Sequence, residues 1–184
     1  MSPSHQVPQL VRALAVAADR GLTIPIVYNT NAYDAVATLE LLDGIVDVWM
    51  PDLKFADPDT GCRLSGIPDY PDRARAAVAE MFGQVGDDWW LGPGGALQRG
   101  ILIRMLVLPD NLAGIEANLE WIARELSPTL AISLLAQYRP AHRVLSTADF
   151  PELQRRINAD EWRAAADAVR RHMTGDRHHL QWGG

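Results

Sequence analysis

The chain has 184 residues, 48% apolar and 22% charged, with a formal net charge of -6, a composition that suits one globular domain and excludes fibrous and disordered classes. Its 17 basic residues are scattered singly or in short pairs, leaving no basic stripe to hold a phosphate backbone, which argues against nucleic acid as a partner. No apolar run approaches the roughly 18 to 20 residues that span a bilayer, and the start MSPSHQVPQ lacks the features of a signal peptide, so the expectation is a cytoplasmic protein without membrane contact. Val7, Leu10, Val11 and Leu14 fall at helical spacing, and Gly21 marks the stop. The run IPIVYN at 24–29 is short and continuous and predicts a buried strand. Tyr33 to Leu42 reads as a helix closed by Asp43 and Gly44, and IVDVWMPDL at 45–53 as a second buried strand. The polar segment ADPDTGCRLSGIPDYPD at 56–72 runs past the roughly 12 to 15 residues at which structureless loops become uncommon and often functional.

Asp72 to Phe82 predicts a helix, and Trp89 to Leu91, the turn Gly92-Pro93-Gly94-Gly95 and ILIRMLVLP at 101–109 predict a hairpin arm entering a third buried strand. A helix capped by Asn111 follows, with Leu112, Ile115, Leu119, Ile122 and Leu126 on one face. TLAISLLAQY at 129–138 is a fourth strand, Asp160 to His172 a last helix, and 173–184 a disordered tail after a single domain over 1–172. Alternating strands and helices imply an α/β fold with a parallel sheet. A complete eight-stranded barrel needs about 250 residues, so four main strands point to a partial (β/α) barrel. A first strand at 24–29 with only a helix before it leaves a bare edge, which calls for a missing N-terminal half or another chain to cover it.

In parallel α/β sheets, the loops at the carboxyl ends of the strands build the site. Strand one ends in Asn29, Thr30 and Asn31, and strand two in Asp52 and Lys54. Strand three carries Arg104 and ends at Pro109 and Asp110; strand four ends in Gln137 and Tyr138. Each has a bland role open to it: Asn29 or Thr30 as a helix cap, Asp52 as a bridge to Lys54 or Arg104. As a set they suit a small ligand carrying a carboxylate or phosphate. Lys54 is the only lysine beside sixteen arginines, and its compact ammonium suits a point-charge contact that a planar fork would not fit.

The series IVYNTNAYD at 26–34, TLELLDGIVDVWMPDLKF at 38–55, SGIPDYP at 65–71, ILIRMLVLP at 101–109 and AQYRP at 136–140 resembles the later part of radical S-adenosylmethionine (SAM) proteins related to the activating enzymes of glycyl-radical enzymes. The resemblance covers roughly residues 4 to 172. It implies a partial (β/α)6 barrel whose earlier part carries a Cys-x3-Cys-x2-Cys motif. Three thiolates there hold a [4Fe-4S] cluster, and SAM on the fourth iron is cleaved to a 5′-deoxyadenosyl radical that abstracts hydrogen. By the same resemblance Lys54 neutralises the SAM carboxylate and Arg104 contacts SAM. Gln137 and Tyr138 close the site without an assigned role. Asp52, the Met50 backbone carbonyl, Thr30 and Asn29 line a monovalent-cation site of hard oxygens. In the better-known activases the Asn29 position is aspartate, and Met105 and Asp110 stand where histidine and glycine are expected.

Cys62 is the only cysteine, so this chain as written cannot hold the cluster. The resemblance therefore implies a barrel lacking its N-terminal strands, inactive alone, whether through a mis-called start, a split gene or a degraded copy. Two alternatives stand beside it. One is a non-enzymatic binding or scaffold module derived from such a barrel; the other is a small SAM-independent α/β enzyme for a carboxylated or phosphorylated metabolite. His178 and His179 read as incidental, Gly92 to Gly95 as a turn without the Lys-Ser/Thr of a phosphate loop, and Trp89 with Trp90 as packing beneath the hairpin or else an exposed substrate or partner contact.

Overall fold

The apolar runs of the sequence become the strands of a mostly parallel sheet. The structure is a computed structural model and describes residues 3–181. Its helices are α1 (Val7–Asp19), α2 (Val36–Glu40), α3 (Pro58–Ser65), α4 (Tyr70–Val85), α5 (Ile115–Glu125), α6 (Arg143–Ser146) and α7 (Ala159–His172). The strands are β1 (Val27–Thr30), β2 (Val48–Pro51), β3 (Trp90–Leu91), β4 (Leu97–Leu106), β5 (Ala131–Leu135) and β6 (His179–Gln181). The order β1-β2-β4-β5-β6 follows the chain, and β3 pairs antiparallel with β4. None of the described helices is long and apolar enough to cross a membrane.

The chain divides into two compact units, Met1–Asp52 with Asp72–Leu102 and Leu53–Pro71 with Ile103–Gly184. In the first, β1 and β2 pair in parallel with Tyr28 beside Trp49 and Asn29 beside Met50. The Tyr28 and Trp49 rings meet edge-on at 5.1 Å, and Leu39, Leu42, Val78, Met81 and Ile101 are buried. β1 is not the continuously buried strand its run of apolar residues predicts: Val27 is exposed, Tyr28 buried, Asn29 half-buried and Thr30 buried, so it covers the core with one face only. It also starts three residues late, because Pro25 has no N–H to place in a ladder and Ile24 stands exposed.

The two tryptophans before the hairpin turn part company. Trp89 donates its indole N–H to the Ile101 carbonyl at 2.9 Å and packs over Gly100, whereas Trp90 is 70% exposed. Gly100 has φ +145 and no room for a side chain, since an added Cβ would lie 2.7 Å from the Trp89 ring.

In the second unit β5 pairs in parallel with β6, α5 packs on α7, and Ile103, Met105, Leu119, Ile122, Leu134 and Val169 are buried. Segment 56–72, expected as a long loop, carries α3. Asp57 caps it by accepting from the Thr60 amide at 2.7 Å and hydroxyl at 2.6 Å, Pro58 opens it, and Gly66 ends it at φ 75. The cap hydrogen bonds hold the Asp57 carboxyl below its ordinary range. Asn111 does not cap the next helix at its own position: its Oδ1 accepts from the Ile115 amide at 3.3 Å, and α5 begins four residues later. The tail expected as disordered over 173–184 contributes β6 from 179 to 181, beside Ser133, Leu134 and Leu135; 182–184 lie outside the described residues. The expectation failed because three residues of tail carry too little pattern to show a strand.

Candidate functional site

Each unit brings part of the expected rim together. In the first unit, the β1–β2 register sets Asn29 beside Met50, and the Asp52 amide donates to the Thr30 carbonyl at 2.8 Å. Asn29, Met50 and Asp52 are half-buried, while their neighbours Tyr28, Thr30, Trp49 and Pro51 are buried. Strand alternation accounts for the difference, with successive side chains on opposite faces.

That alternation takes the Thr30 hydroxyl away from the other three. Thr30 is 1% exposed; its hydroxyl donates to Asp34 Oδ2 and accepts from the Ala32 amide at 3.2 Å. Asp34, itself buried, also accepts from the Tyr28 hydroxyl at 3.2 Å. Burial first, and the Asp34 charge second, push the Tyr28 phenol above its ordinary range. Asn31 accepts from the Tyr33 amide at 3.0 Å, an Asx turn that with Ala32 at φ 63 steers the chain toward α2. Thr30 and Asn31 therefore shape the β1–α2 turn with their side chains. Asn29, Asp52 and the backbone carbonyls remain as the oxygen donors of this group.

In the second unit the Leu53 amide donates to the Arg104 carbonyl at 2.9 Å, and the Lys54 amide to the Tyr70 hydroxyl at 3.0 Å. Tyr70 is buried edge-on against Phe55 with ring centroids 5.5 Å apart, so the main chain at Lys54 is pinned on a packed wall. Lys54 lines a cavity of about 260 Å³ whose apolar wall is Phe55, Leu64, Leu106, Leu108, Val144 and Leu153. Tyr138 and Arg139 lie on the same cavity. The Tyr138 hydroxyl donates to the Leu153 carbonyl at 2.8 Å, and burial raises its phenol, so Tyr138 latches the far wall in place.

Arg104 is half-buried between the buried Ile103 and Met105 and does not line this cavity, and Gln137 is exposed. Asp110, where the resembled family places glycine, has φ 53, the left-handed backbone that glycine favours. Its amide donates to Glu161 at 2.8 Å, and its carboxylate accepts from Arg155 at 2.7 Å. Arg155 also bonds both Glu161 oxygens, and those bonds hold the Glu161 carboxyl down at about 2.

Three residues of these arrangements were not singled out from sequence: Asp34, Tyr70 and Arg139. Asp34 stands four residues after Thr30 and Arg139 directly after Tyr138, so position carried a signal for both. Nothing local marks Tyr70, which reaches Lys54 from sixteen residues away. Cys62 is exposed on α3, and the described residues contain no group of three His, Cys, Asp or Glu side chains placed to hold a metal ion.

The chain is similar to an uncharacterized protein of Methanocaldococcus jannaschii, 26% identical over 166 residues. The match covers 90% of this chain and 44% of that protein, so the chain spans less than half the length of the curated relative it matches. No family model and no solved structure matches the chain.

Proposed function

We propose that the chain is the SAM-binding portion of a radical SAM oxidoreductase, a partial (β/α) barrel in which Lys54 neutralises the SAM carboxylate. The observation that carries this is the setting of the only lysine. Lys54 stands on a pinned main chain and lines a cavity whose wall is otherwise mostly apolar. A strand order that follows the chain supports the barrel, since a closed singly wound sheet has the same order. Arg104 and Gln137 are the further SAM contacts of the second unit.

In the first unit Asn29, Asp52 and the Met50 carbonyl supply hard oxygens suited to a monovalent cation. Thr30 joins them only through its carbonyl. SAM, once bound and reduced by one electron, supplies hydrogen-abstracting chemistry.

The donor set fits the amino-acid end of SAM and does not fit the cluster. A cavity of about 260 Å³ lies below the roughly 300 to 1,000 Å³ of sites for drug-sized ligands, so it takes one end of SAM. One exposed cysteine cannot supply three thiolates. No electron-transfer step is assigned to this chain, and the thiolates belong to polypeptide outside these 184 residues. The outer edge of β1, beside the exposed Ile24 and Val27, is where such polypeptide would pair.

Calorimetric titration of SAM into the iron-free chain tests the proposal. Binding is expected, weakened about tenfold or more in Lys54→Ala, as loss of a charge-assisted hydrogen bond requires. Equal affinities in the two proteins would overturn the Lys54 assignment. The small cavity also favours a SAM-independent module or enzyme for a carboxylated metabolite, which would give no heat with SAM.

A further inference from the structure

The chain after α7 runs back along the sheet. The Thr174 amide donates to the Pro128 carbonyl at 2.8 Å, and an Arg177 guanidinium nitrogen donates to the Thr129 carbonyl at 3.0 Å. The Ile132 amide then donates to His178 Nδ1 at 3.4 Å, and His179, Leu180 and Gln181 pair with Ser133, Leu134 and Leu135 as β6. Residues 174–181 thus form a strap zipped along 128–135. At Gly175 the fit leaves no room, since an added Cβ would lie 2.6 Å from the Thr129 carbonyl oxygen. β6 is the last strand in the sheet order, so the strap covers the edge of β5, whose Ala131, Ile132, Ser133 and Leu134 are all buried.

The imidazole in the middle of the strap is held in one protonation state. Because Nδ1 accepts from an amide, the ring is neutral with its hydrogen on Nε2. Nε2 is shut off from solvent and has no hydrogen-bond partner among the described residues. A proton on Nδ1 sets N–H against N–H and ends the Ile132 bond, while the Nε2–H still lacks an acceptor. The charges that act on the ring are Arg177, which opposes a proton, and Asp176, which favours one; both belong to the strap. Segment 128–135, on which the strap lies, has no titratable side chain. Burial first, and Arg177 second, hold the His178 imidazole below its ordinary 6.5. The orphaned Nε2–H also carries a desolvation cost, which makes the strap easier to release than the core strands.

We propose that residues 174–181 are a pH-sensitive strap, docked on 128–135 while His178 is neutral and released from the β5 edge when His178 takes up a proton. The released imidazole titrates near 6.5 and the docked one lower, so release takes up a proton. Docking is at full strength above pH 6.5 and weakens as the pH falls below it, by up to about tenfold per unit. The strap shares no residue with the proposed SAM site, and neither proposal stands on the other.

The test is hydrogen exchange of the full chain, read by mass spectrometry on peptides covering 174–181 and corrected for the intrinsic pH dependence of exchange, together with NMR titration of His178. Protection of the strap should fall by about tenfold or more from pH 7.5 to pH 5 while that of α7 stays constant. His178→Asn, whose side-chain oxygen can accept from the Ile132 amide without titrating, should keep the strap protected across the range. His179→Asn, at the exposed neighbour, should leave the native fall unchanged. The native His178 ring should carry its hydrogen on Nε2 at pH 7.5 and titrate below 6.5. Strap protection equal at the two pH values, a fall that persists in His178→Asn, or a His178 midpoint at or above 6.5 would each overturn the proposal, and the last needs no variant that docks.

Discussion

At Gly100 the backbone, with φ +145, lies directly beneath the Trp89 ring. A side chain there meets both a disfavoured conformation and an aromatic ring held by its own hydrogen bond. Gly100→Ala should therefore cost about 2 kcal/mol in urea unfolding, and a change under about 0.5 kcal/mol would show that Trp89 can move aside. Asp34 is a second case, because it is the buried acceptor for two hydroxyls, Tyr28 and Thr30. Asp34→Ala should destabilise by about 2 to 3 kcal/mol through the stranded hydroxyls, with Asp34→Asn recovering much of the loss by supplying an acceptor oxygen. Gly100 does not announce itself in the sequence, and Asp34 does so only by standing four residues after Thr30. Lys54 does, by its uniqueness; the partner of its amide, Tyr70, comes from a contact that only folding makes.

Elements were legible where hydrophobic period was strong and hidden where capping chemistry did the work. α4, α5 and α7 fall close to their predicted positions because each buries an apolar face, and α1 does so on its hydrophobic period although only Val7 of it is buried. α3 buries only Gly61, so the period is silent, yet Asp57-Pro58 and Gly66 bracket it with cap residues that could have been read as start and stop signals. α7 has the fuller device, a capping box in which Asn158 accepts from the Asp160 and Glu161 amides and Glu161 accepts from the Asn158 amide. Asn158→Ala should cost about 1 kcal/mol.

Glu161 also ties this helix start to Arg155 and to the Asp110 amide, and its carboxyl, ordinarily near 4.5, is held at about 2. A depressed carboxyl stabilises the fold when ionised. Its contribution is present above pH 4.5 and lost as the pH falls toward 2. Carbon-detected NMR titration should show the Glu161 carboxyl protonating well below pH 4.5, toward 2, and Glu161→Gln should flatten the fall of stability across that window. A midpoint near 4.5 would contradict the arrangement.

On the scale of the whole molecule, alternation of strands and helices in the sequence made the α/β class and the parallel sheet readable. The division into two compact units was not readable, because the boundaries at Asp52 and Leu102 run through continuous apolar segments with no change of composition. Anaerobic reconstitution of this chain with iron and sulfide should give no [4Fe-4S] signal by optical or paramagnetic spectroscopy, since Cys62 alone is present to bind it; stoichiometric cluster uptake would contradict the assignment of the thiolates to other polypeptide. The central claim, that Lys54 pairs with the carboxylate of SAM, is tested most directly by comparing SAM with decarboxylated SAM on the native chain and on Lys54→Ala. The account predicts a preference for SAM of about tenfold or more in the native chain that disappears in the variant, and the same preference in both proteins, or none in either, would contradict it.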